Sequence, residues 1–212
     1  MKPPLKIWLI NPFEYISETK ALIIGIAIIT ISNIINSSTF SHFDGLIDYH
    51  LYDDSKFPMI YHILESAISL LVFSIALYIS GRLISKSKIR FIDVIGMQAF
   101  ARTPFLITAC IPLFYSIEPI ISYFDAQKNN TTLPNIPMLD WIFFTIYAIT
   151  MLGLIVWLVA LMWNAFKVSC NVKGKNAIIG FIIAFIISDI IIKLSLHSIK
   201  DYFIITQQLS SL

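Results

Sequence analysis

Residues Gly81 to Pro104 read GRLISKSKIRFIDVIGMQAFARTP. Arg82, Lys86, Lys88, Arg90 and Arg102 crowd together here between two hydrophobic runs, the mark of the cytoplasmic side of a membrane protein. Working outward from this stretch, every apolar run can be given a direction across a bilayer by counting crossings. The composition demands such a frame: 57% of residues are apolar and 13% charged, and the mean hydropathy is +0.79, far above a soluble domain. A chain of 212 residues holds about five or six spans of ~20 residues with short connections. The expectation is therefore a single membrane domain over residues 1–212, all-α and polytopic, with five transmembrane helices and short interfacial helices.

The expected crossings fall at about residues 21–38, 63–84, 104–123, 141–163 and 177–196, each a run apolar enough to span. Ahead of the first, residues 1–20 mix Trp8, Phe13 and Tyr15 with Lys2, Lys6, Glu14 and Glu18, as expected of an interfacial segment. Asn11, Pro12 and Glu14 there suggest an N-cap, a first-turn proline and an N3 acid. No small-residue cleavage site follows the first run, so it is expected to remain as an anchor. Residues 91–101 are half polar and too short to span, which predicts a second interfacial helix. Starting the third crossing at Pro104 then makes Arg102 an interfacial anchor, and Pro112 predicts a kink within that crossing.

The charges test this map. Lys2, Lys6, Lys20, Arg82, Lys86, Lys88, Arg90, Arg102, Lys167, Lys173 and Lys175 fall on the assigned cytoplasmic side with Glu14, Glu18 and Asp93, leaving four of the 15 bases and ten of the 13 acids outside. That asymmetry predicts a cytoplasmic N-terminus and an external or periplasmic C-terminus, in a multi-pass protein of the inner or plasma membrane. Cys110 lies in an apolar run and Cys170 in a basic loop, so they read as separate reduced thiols.

Three groups of polar residues stand out. His42, Asp44, Asp48, His50, Asp53, Asp54, His62 and Glu65 gather imidazoles and carboxylates in one external region, yet their spacing matches no closed zinc pattern and predicts a solvated acidic loop without metal. Asp189 and Lys193, four apart in the fifth crossing, form a candidate intramembrane polar pair, in the favourable acid-then-base helical order. Lys86, Lys88, Arg90, Lys167, Lys173 and Lys175 form a candidate cytoplasmic contact rim for anionic lipid or another membrane protein. Metalloprotease, nucleophile-elbow, phosphate-loop and dinucleotide signatures are all missing, so neither an enzyme nor a cofactor is expected, and no nucleic-acid partner.

In this order of features the chain resembles the YIP family of Ypt/Rab-interacting integral membrane proteins, as a bacterial member. The likeness rests on Trp8 to Pro12, on Arg90 to Pro104 with its amphipathic approach to a proline, and on MWNAFKVSCNVKGKNAIIG (Met162 to Gly180) joining the last two helices. The resemblance implies five helices, a cytoplasmic N-terminus and a non-enzymatic role in organising or binding membrane components. Eukaryotic members carry a long acidic N-terminal region with an Asp-Leu-Tyr-Gly-Pro motif, which this chain lacks, so Rab binding does not transfer. The alternative is a small membrane transporter or channel, with Asp189 and the kinked third helix lining a path past Thr108 and Ser116.

Overall fold

The computed structural model describes residues 5–39, 41–50 and 57–210. Five helical segments are long and apolar enough to cross a membrane: Glu18–Thr39, Met59–Ile84, Phe91–Leu113, Met138–Cys170 and Gly174–Ile205. They fit a multi-pass membrane protein, in which the backbone polar groups must be satisfied within each segment. We number the helices α1 (Leu5–Ile10), α2 (Glu18–Thr39), α3 (Met59–Ile84), α4 (Phe91–Ala101), α5 (Thr103–Cys110), α6 (Glu118–Lys128), α7 (Met138–Cys170) and α8 (Gly174–Ser210).

The count of five agrees with the sequence, but the third member sits elsewhere. Instead of opening at Pro104, it opens at Phe91 and ends in the 3-10 turn Ile111–Leu113 at Pro112. Pro104 does start α5, as a first-turn proline. Only Arg102 separates α5 from α4, and the Phe105 amide still bonds the Arg102 carbonyl at 2.9 Å. Residues 91–101, expected along the interface, are built into the bundle: Val94, Ala99 and Ala101 are fully buried. Beyond Ser116 the chain forms α6, where the third crossing was expected to continue. The fifth helix likewise runs past the expected residue 196 to Ser210.

α4 lies at the centre, packed by α2, α3 and α7, while α8 packs along α3 and α5 fits between α2 and α7. The close approach of α2 to α4 is made by two glycines. A Cβ on Gly25 would collide with the backbone of Ala99 and Phe100, and one on Gly96 would lie 2.8 Å from the Glu18 carbonyl. Such small-residue contacts suit helices in lipid, where van der Waals packing drives association. The N-terminal segment docks on α7, where Trp157 Nε1 donates to the Leu9 carbonyl at 2.6 Å and Asn164 Nδ2 to that of Ile10 at 2.8 Å. These bonds satisfy end carbonyls of α1 that its own short helix leaves open. α6 rests on the start of α7 through Tyr123 against Trp141, with ring centroids 5.3 Å apart.

Candidate functional site

The segment between α2 and α3 is not a solvated loop. The chain reverses over residues 45–47, where the Asp44 amide donates to the Asp48 carbonyl at 3.2 Å, and His42 and His50 exchange backbone hydrogen bonds of 3.0 and 2.9 Å. The tip is inserted among the helices. Leu46 is fully buried, and Phe43 stacks on Phe105 of α5 with centroids 3.9 Å apart. Irregular backbone at this position is tolerable in a membrane bundle because protein surrounds it.

Polar groups fasten the tip. Ser69 Oγ on α3 donates to the Gly45 carbonyl at 3.0 Å and accepts from Arg102 Nη2 at 2.9 Å. Arg102, expected at the interface, is 2% exposed and lies over the Phe105 ring, 5.4 Å from its centroid. Its Nε has no hydrogen-bond partner, and among the described residues no carboxylate stands within 4 Å of the guanidinium. One turn before Ser69, Glu65 is 2% exposed with imidazoles on both oxygens: His42 Nδ1 at 2.8 Å and His62 Nδ1 at 3.6 Å. The three were expected in water; instead all three are buried.

At the rim of the hairpin, His50 Nε2 lies 3.4 Å from Asp44 Oδ2. That contact lowers the Asp44 pKa and raises that of His50, against the opposing effect of partial burial on each. Among the described residues no three His, Cys, Asp or Glu side chains are arranged to hold one metal ion. Asp53 and Asp54 lie outside the described residues.

The Asp189–Lys193 pair forms, with Nζ 3.0 Å from Asp189 Oδ2, and gains a partner that sequence spacing did not disclose. Lys193 Nζ is also 2.7 Å from Asp48 Oδ2 of the hairpin. Asp189 Oδ1 in turn accepts the Leu46 amide at 3.5 Å. The three charges therefore clasp the hairpin to α8. Thr108 donates to the Pro104 carbonyl at 3.1 Å within its own helix, and Ser116 Oγ accepts the Glu118 amide at 3.2 Å.

At the opposite end the basic residues come together. Asn171, a left-handed C-terminal cap with φ 49°, ends α7, and its Nδ2 donates to Ser87 Oγ at 2.9 Å, tying the α7–α8 turn to the α3–α4 loop. Lys86, Lys88, Lys173 and Lys175 are exposed around that tie. The other two rim residues are engaged. Arg90 bridges Asp93 and Glu18, which together raise its pKa, and Lys167 Nζ stands over Trp163, 5.5 Å from the ring centroid. Cys110 and Cys170 are both free thiols, far apart in sequence and in setting, Cys170 packed against Gly81.

The chain matches no protein-family model, no curated protein and no solved structure.

Proposed function

We propose that this chain is a YIP-like integral membrane protein that organises or binds other membrane components through its basic end. In this reading it is not an enzyme, the basic end faces the cytoplasm with the N-terminus, and the C-terminus lies on the far side. The observation that carries the reading is the seated hairpin. Its tip is packed among α3, α5 and α8 beside Asp189, and Asp189 itself is paired with Lys193 and bonded to the Leu46 amide. The exposed lysine group at the other end, Lys86, Lys88, Lys173 and Lys175, is then the candidate contact. Such a cluster draws anionic lipid headgroups or an acidic partner surface.

Two measurements test this. Photocrosslinkers placed at Lys88 and Lys173 in native membranes are expected to capture a discrete membrane component. Sealed proteoliposomes containing the purified protein are expected to show ion and solute flux equal to that of empty vesicles. Flux that is saturable and abolished by Asp189→Asn would replace this reading with a transporter.

A further inference from the structure

Between α3 and α8 runs an open apolar groove of about 490 Å³, lined by Leu83, Ile84, Asn176, Ile179, Ile183 and Ile187 among others. Its volume falls within the ~300–1,000 Å³ of ligand sites. Gly180 shapes the floor: a Cβ there would collide with Ile84 Cδ1 and with Ser80 Oγ, a hydroxyl that is covered and has no hydrogen-bond partner. From Asn176 to Ile187 the groove follows α8 for ~16 Å at 1.5 Å per residue. That is half of the ~30 Å hydrocarbon thickness, the depth of one leaflet.

We infer that this groove holds one acyl chain of an anionic phospholipid from the leaflet at the basic end. Its apolar lining and its length of ~16 Å, one leaflet deep, suit an acyl chain. Charge decides the headgroup. Leu83 and Asn176 form the mouth, and their chain neighbours Arg82 and Lys175 are exposed there. The Asn171–Ser87 hydrogen bond brings Lys86 and Lys173 to the same end. Among the described residues none of these four bases has a carboxylate within 4 Å. The first amides of α8, from Gly174 onward, lack intrahelical partners and add a further attraction for phosphate. The phosphodiester therefore sits among Arg82, Lys173 and Lys175, with the chain running past Ile179 to Ile187. This assignment deepens the reading of the basic end as a membrane contact.

Native mass spectrometry of the purified protein, titrated with equal amounts of dioleoyl phosphatidylglycerol and dioleoyl phosphatidylcholine, tests it. One tightly held phosphatidylglycerol is expected, favoured over phosphatidylcholine by roughly tenfold or more for three nearby bases. Arg82→Gln, Lys173→Gln and Lys175→Gln together remove the preference, and Ile183→Trp, filling the groove from its exposed lip, lowers both adducts. Because a variant could be compromised in folding, a photocrosslinker at Ile183 in the otherwise unchanged chain supplies a second readout, and it is expected to capture lipid. Equal adducts for the two lipids, a preference that survives the triple change, or a dimer-sized cross-link from Ile183 each overturn the assignment. Capture of a protein at Lys88 with no lipid preference removes the lipid site and leaves the partner-binding reading standing.

Discussion

Lys193 sits between two carboxylates, and this makes the consequences of removing each member unequal. Asp189→Asn keeps an oxygen for the Leu46 amide and leaves Lys193 bonded to Asp48, so it is expected to cost less than about 0.5 kcal/mol. Lys193→Met leaves Asp48 and Asp189 facing each other with no cation between them. Its expected cost is about 1 kcal/mol, discounted because the lysine is half exposed. Detergent-solubilised melting in double-mutant-cycle form measures both, and a cheaper Lys193→Met than Asp189→Asn would contradict the three-charge clasp. The Asp44–His50 contact yields a pH dependence with a defined sign. The raised His50 pKa adds stability that is present below about pH 6.5 and lost as pH rises through the folded value. The lowered Asp44 pKa adds stability that is present above about pH 4 and lost as pH falls through the folded value. The Asp44–His50 contact thus contributes in full between about pH 4 and 6.5. In an NMR titration, Asp44→Asn should bring the His50 pKa down; an unchanged value would remove Asp44 as its cause.

At the scale of elements, the glycine contact of α2 with α4 should be unforgiving because the atoms facing Gly25 are backbone. Gly25→Ala is expected to destabilise by roughly 1–3 kcal/mol, as overpacking does. Gly153→Ala, where nothing lies within 4 Å, should be neutral or stabilising by up to ~1 kcal/mol from helix propensity. Thermal melting of the two variants side by side checks the contrast. The sequence made the five long helices legible because apolar runs of spanning length have few other solutions. It misplaced the third because Pro104 reads as a helix start, which it is, while residues 91–101 read as half polar and too short to span. Asp93 does not break that helix, since it lies in its first turn and bonds Arg90. Arg102 was legible as a charge but not as a buried one, because Ser69, which its guanidinium bonds, arrives from α3, 33 residues earlier. The seated hairpin was hidden by its acids. The signal that could have disclosed it is the set Phe43, Leu46, Ile47 and Tyr49 flanking Asp44–Gly45, apolar residues that a solvated loop has no use for.

For the whole molecule, the assigned orientation can be measured directly. In a variant with Cys110 and Cys170 replaced by serine, single cysteines at Asn129 and at Lys88 or Lys173 report the two ends. An impermeant thiol reagent applied to intact cells is expected to label Asn129 and to spare the other two. Labelling at Lys88 would invert the map and, with it, the leaflet from which the α3–α8 groove draws its lipid.

The 33 residues of α7 extend ~50 Å, against ~30 Å of hydrocarbon. The bundle grips only the later part, through Leu158, Leu161, Met162, Ala165 and Phe166. Earlier, Leu139, Ile142, Phe143, Ile146 and Ile149 face outward, and the helix is accompanied by α6 and the linker before it, with Tyr115 donating to the Asp140 carbonyl. A rod clamped at one end behaves as a cantilever. In a thin bilayer its free portion leans to keep those side chains in hydrocarbon, and in a thick one it stands upright, without repacking the clamped end. Membrane thickness is thereby translated into the height and angle of α6 above the rest of the protein.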